Sequence, residues 1–114
     1  MTVTRELLRE GEYTRDGRML TPDSVTWRDQ VPLMARPDKL DGLGGEHLVG
    51  AVTNIRREGN RILGDLSVDI EANLIVTCEV DQTTSVKHEE GVEFTSARIV
   101  GAFVNRADQW PWTS

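Results

Sequence analysis

The sequence predicts a small, mainly β protein, a compact barrel with one short helix, on three observations. Apolar and polar residues alternate at period two in several separate runs, and no stretch sustains the helical period. Turn residues recur about every ten positions, the spacing of short strands in a sandwich or barrel. The chain has 114 residues, enough for one core and too few for two substantial ones. The expected organisation is a single barrel domain with an N-terminal arm over residues 1–12 and a Trp-Pro-Trp tail over 105–114.

In the arm, Leu7 and Leu8 begin either a helical stripe or a strand, and Gly11 ends any helix within two turns. Arg15-Asp16-Gly17-Arg18 reads as a turn with glycine where positive φ is needed, joining 12–14 to 19–20 as in a hairpin. Thr21-Pro22-Asp23-Ser24 carries helix-start chemistry, a hydroxyl, a proline with preset φ and an acid, so a short helix is predicted over 24–29. Val31-Pro32-Leu33-Met34 is apolar but holds a proline without a donor, which suits an edge or the first residues of a strand. Residues 36–45, with Gly42, Gly44 and Gly45, read as loop, because Glu46 and the spacing do not suit a phosphate cradle.

From Leu48 the period becomes two, with Val49, Ala51 and Ile55 assigned to one face and a tight turn at Glu58-Gly59-Asn60-Arg61. The returning strand is the clearest: Ile62, Gly64, Leu66, Val68 and Ile70 alternate with Leu63, Asp65, Ser67 and Asp69. A third run places Leu74, Val76, Cys78 and Val80 on one side. Residues 81–91 read as a polar loop. Residues 92–95 and 97–104 resume strand composition, the latter apolar on both faces as a central strand requires.

Composition narrows the function. Nineteen acidic against thirteen basic side chains leave a net charge of −6, which repels polyanions and argues against a nucleic-acid partner. Apolar runs are short, so no membrane association is expected, and the first ten residues lack the apolar centre of a secretory signal. The single cysteine precludes an internal disulfide and points to a reducing compartment. One Cys and two His, His47 and His88, do not make a Cys-rich zinc site, and no HExxH, P-loop or GxGxxG spacing occurs. Asp65, Asp69, Glu71, Glu89 and Glu90 read as solvated carboxylates. No metal and no cofactor are expected.

Several blocks together resemble the prohead (capsid maturation) proteases of tailed phages. They are Thr14-Arg15-Asp16-Gly17-Arg18-Met19-Leu20-Thr21-Pro22, Val25-Thr26-Trp27, Val31-Pro32-Leu33-Met34, His47-Leu48-Val49-Gly50-Ala51-Val52, Arg57-Glu58-Gly59-Asn60-Arg61-Ile62-Leu63-Gly64 and Phe94-Thr95-Ser96-Ala97-Arg98-Ile99-Val100-Gly101-Ala102. In order they cover most of 12–104. The resemblance implies a β-barrel shared with herpesvirus assemblins and a serine nucleophile activated by a histidine, with His47 where the family's catalytic histidine stands. That family places its serine after a longer insertion. Here thirty residues separate His47 from Thr77, and the strand in that place offers Thr77 or Cys78 instead. Ser67 has a locally similar setting but belongs to a framework hairpin.

A general base needs a nucleophile within hydrogen-bond reach. His47 without one reads as a loop histidine, and His88 as a solvated one. Cys78 reads as a small buried hydrophobe, and Ser67 as part of a wet strand face. The expectation is therefore no catalytic residue, with His47, Thr77, Cys78 and Ser67 as the residual candidates. Trp110 and Trp112, with Pro111 between them, either fold back on the barrel or insert into a neighbour. Partner-binding candidates are Trp110, Trp112, Leu33, Met34, Leu7 and Leu8. An exposed edge strand also offers pairing between copies, hence a homo-oligomer. The expected function is a phage decoration or minor capsid protein. It would bind the major capsid protein in the virion and pass through the host cytoplasm during assembly. The alternatives are an active small capsid maturation protease and an assembly regulator that pairs with the protease.

Overall fold

A computed structural model describes residues 3–35 and 47–112. The glycine-containing loop expected over 36–45 lies outside the described residues. The chain is mainly β, as the alternation predicts, and its strands form one eight-stranded sheet curled into a half-barrel. In chain order they are β1 (Val3–Arg9), β2 (Arg18–Leu20), β3 (Val25–Trp27), β4 (Gln30–Ala35), β5 (His47–Glu58), β6 (Arg61–Leu66), β7 (Leu74–Lys87) and β8 (Val92–Arg106). A single 3₁₀ turn at Ala107–Gln109 follows.

The fifteen-residue β8 organises the sheet. Along one edge it pairs antiparallel with β7. Along the other it meets β2, β3 and β4 in succession, all parallel: Leu20 opposite Phe94, Val25 opposite Ala97, and Leu33 opposite Ala102. The sheet continues from β4 through β5 and β6 to β1, each pair antiparallel. A strand flanked along both edges and packed on the core has to be apolar on both faces, and the expectation of a central strand over 97–104 holds. Ala97, Ile99 and Ala102 are buried beside Leu33, Val52, Ile62, Leu66 and Val76.

The expected helix over 24–29 is not formed; β3 occupies it. Ser24 N–H donates to Thr21 O at 3.0 Å across Pro22 and Asp23, and Asp23 takes φ +66°. Proline second and a left-handed residue third make a type II turn, and that turn aims the chain along β8 instead of into a helix. The turn at 15–18 forms, with Gly17 at φ +83°, and Thr14 N–H donates to Arg18 O at 2.6 Å and Gly11 N–H to Leu20 O at 2.7 Å across it; residues 12–14 are not a strand, and the ladder of β2 is the parallel one with β8.

Nor is the N-terminus an arm: β1 pairs with β6, and Leu7 and Leu8 lie in the core. β4 is not an edge, since it sits between β5 and β8; pairing with β8 begins only at Leu33, after Pro32. The loop expected over 81–91 is mostly strand, and only residues 88–91 turn, with His88 N–H donating to Gly91 O at 2.7 Å. The ladder shifts register around Gln82, φ +51°, and continues to Lys87, and the Thr84 hydroxyl bonds those of Thr95 and Ser96. β5 also departs from its expected face. A register shift between Thr53 and Arg56, with Asn54 at φ +51°, exchanges inside and outside. Val52 before the bulge and Ile55 after it are buried, while Val49 is exposed.

The half-barrel closes by side chains where a ladder would otherwise run. Along the seam between β1 and β7, the Arg5 guanidinium donates to the carbonyls of Leu74 at 2.9 Å, Glu71 at 3.3 Å and Ile70 at 3.5 Å. Further along, the tail folds over the wall. Arg15 donates through its guanidinium to Asp108 O at 2.9 Å and Trp110 O at 2.6 Å, and through its backbone to Pro111 O at 2.9 Å.

Candidate functional site

The residual catalytic candidates lie on β5, on β7 and in the bend that follows β6, and the register keeps them apart. His47 opens β5 opposite Ala35 of β4 and is exposed. Thr77 and Cys78 sit on β7 opposite Phe103 and Ala102. From β5 through β4 and β8 to β7 is three strand spacings, roughly 14 Å along the sheet, beyond any direct hydrogen bond. Each candidate is also engaged elsewhere. Thr77 Oγ1 accepts from Asn105 Nδ2 at 2.7 Å. Cys78 Sγ–H points to Leu7 O at 3.8 Å, and burial pushes its thiol up to about 12. The Ser67 hydroxyl accepts from Ala51 N–H at 2.9 Å, four residues along β5 from His47 and more than about 10 Å away. These residues assemble no nucleophile–base pair. His88, read as solvated, bonds Glu93 Oε1 through Nε2 at 2.8 Å.

The partner-binding candidates divide. Leu7, Leu8, Leu33 and Trp112 belong to the core and offer no outward face to a partner protein, a correction whose cause is the pairing of β1 and β4 on the inner wall and the folded tail. The Trp112 indole donates to Glu12 O at 2.9 Å. Its ring lies 5.3 Å from that of Trp110, and the Arg9 guanidinium stands 5.8 Å over Trp110. Of the two fates open to the tail, folding back is the one adopted. Met34 remains half-exposed.

Met34 belongs to a surface that alternation did not reveal. Leu48, Met34 and Phe103 stand opposite one another across β5, β4 and β8. Directly opposed residues share a face. The adjoining Leu33 and Ala102 point into the core, so this row faces outward. Leu48 is 68% exposed and Val49 39%. Val49 faces outward by alternation from Gly50, which stands opposite the inward Leu33, and the bulge at Val49 brings Leu48, opposite Met34, to the same side. The apolar pair at 48–49 was the available signal; assigning Val49 to one face with Ala51 and Ile55 concealed it.

Sequence reading also missed the charged pair at the other end of the wall. Glu10 is 1% exposed and takes a two-pronged bond from Arg57, Nε to Oε1 at 2.7 Å and Nη2 to Oε2 at 3.0 Å, plus Val25 N–H at 3.0 Å. Arg57 also donates to Val25 O at 2.9 Å and lies 5.2 Å over the Trp27 ring. Desolvation pushes the Glu10 carboxyl upward, but the Arg57 and backbone bonds outweigh it and hold it below 4.5. The pair ties β1, β3 and β5 together as a structural clamp.

No cluster of three or more His, Cys, Asp or Glu side chains suited to a metal occurs among the described residues. Among them, no helix is long and apolar enough to cross a membrane. No protein-family model, curated protein or solved structure matches the chain.

Proposed function

We propose that the protein is a structural component of a phage capsid, a decoration or minor capsid protein that binds the shell of major capsid subunits. The observation that carries this reading is the outward apolar patch of β5, Leu48 at 68% and Val49 at 39% exposure, with Met34 of β4 opposite Leu48. Apolar side chains at the centre of such a patch supply most of an interface's binding energy. The separation of His47 from Ser67, Thr77 and Cys78 supports the same reading, since the protease-like barrel suggested by resemblance lacks an assembled pair from these residues. Binding to the assembled lattice and not to free subunits would convert occupancy into resistance to rupture by mass action.

The deciding experiment is quantitative gel analysis of purified mature particles carrying the native chain, Leu48→Asp or His47→Ala. A shell component is present at tens to hundreds of copies, loses most of that occupancy in Leu48→Asp and keeps it in His47→Ala, with capsid processing unchanged. Absence from mature particles would point to an assembly regulator and overturn the proposal. Capsid processing that stops in His47→Ala would restore the protease.

A further inference from the structure

We propose that the cleft between the folded tail and the β1–β7 seam is a binding site for a small single-ring aromatic carboxylate. The cleft has a volume of about 160 Å³. An apolar cavity of about 150 Å³ is dry and accepts one benzene ring. Its inner wall is Leu7, Leu8, Leu20, Cys78, Phe94 and Trp112, and the two rings among these offer edges and faces to a planar guest. The Cys78 thiol stays neutral there and acts as another apolar group.

Charge enters only at the solvent end. Arg18 lines the cleft and also the adjoining surface hollow formed with Arg15, Asp16, Gln109 and Pro111. Arg15 is committed to the tail carbonyls, so Arg18 is the cation at the boundary. Among the described residues its side-chain bond is Nη2 to Asp16 Oδ2 at 2.6 Å, with a partner more than half exposed. That bond uses a single donor of the five on a guanidinium, and an exposed pair of this kind is weak and readily shared. The other polar side chains of the lining are engaged, Thr14 by Asp16 and by Arg18 N–H, and Thr77 by Asn105 Nδ2. A ring seated against Trp112 with its carboxylate directed outward therefore meets the planar fork of Arg18, the geometry in which guanidinium holds carboxylate best. A neutral ring has the same floor but no such anchor.

Benzoate and benzyl alcohol are the probes, titrated into the full chain while backbone amides and the Trp112 indole N–H are followed by NMR. The expected result is saturable shifts confined to the cleft. Benzoate should bind about fivefold more tightly than benzyl alcohol, a preference that vanishes in Arg18→Gln. Val80→Trp fills the mouth from a half-exposed position of β7 and should abolish both titrations while the remaining spectrum is retained. Cys78→Met narrows the floor and replaces it where Val80→Trp does not fold. Absence of saturable shifts, equal affinity for the two probes, or undiminished binding in the filled variants would overturn the proposal.

Discussion

A carboxylate taken out of water has to be given its charge back by neighbours, and Glu10 receives it from one guanidinium and the backbone of β3. Glu10→Ala leaves Arg57 without its principal partner and should lower unfolding free energy by about 3 kcal/mol, measured by urea titration at pH 7. Its folded pKa lies below the ordinary 4.5, so its stabilisation is complete above that value and is lost as pH falls through the folded one. Asp65 acts in the same direction lower down. Bonds from Asn54, Thr4 and Arg56 bring its carboxyl from 3.8 to about 2. The urea midpoint of the native chain should therefore fall between pH 5 and pH 2, and fall less in Glu10→Gln; equal slopes would remove Glu10 from the account. Cys78 gives the opposite case, a half-buried thiol whose charged form desolvation disfavours. With its thiol near 12, native-state alkylation at pH 8 should be slower than that of a free thiol by roughly a thousandfold and recover on unfolding.

At the scale of strands, closeness of approach decides what a position tolerates. A Cβ on Gly64 would stand 2.5 Å from Val52 Cγ1 and 2.9 Å from Leu7 Cδ1, where β6 passes between β5 and β1. Gly64→Ala should cost about 1–3 kcal/mol by thermal or urea unfolding, through overpacking of the inner wall. This position was legible as inward-facing, because β6 keeps strict alternation and has no bulge within it. β5 was legible as a strand but not in its facing, since one left-handed Asn54 reverses every side chain beyond it. β3 was mistaken because Pro22 and Asp23 suit a helix start and a type II turn equally. Only the waiting edge of β8 decides between them. The polar half of β7 carried no hydrophobic signal, and it is a strand because its partner is one. The site was less legible than the fold for the same reason: which residues face each other across strands is set by register over tens of residues, and neither the Leu48–Met34–Phe103 row nor the distance from His47 to Thr77 is written locally.

For the molecule as a whole, the barrel is an incomplete ring whose gap is bridged by Arg5 on one side and plugged by the tryptophan tail on the other. Trp112→Ala removes the plug together with its bond to Glu12 and should cost about 3–5 kcal/mol in unfolding experiments, with Cys78 alkylation accelerating as the cleft opens. Unchanged stability would mean that the tail decorates the wall without supporting it. The parallel pairings of β8 with β2 and β3 join residues more than seventy positions apart. Chains dominated by such distant partners fold in milliseconds to seconds. On the ribosome this sets an order of events: when synthesis has reached the end of β7, β2 and β3 still have nothing to zip against, and they remain unpaired until the last strand emerges to act as their common rail. Folding of this sheet thus waits for β8, and a chaperone that shields nascent apolar segments has its longest task at Leu20 and Val25.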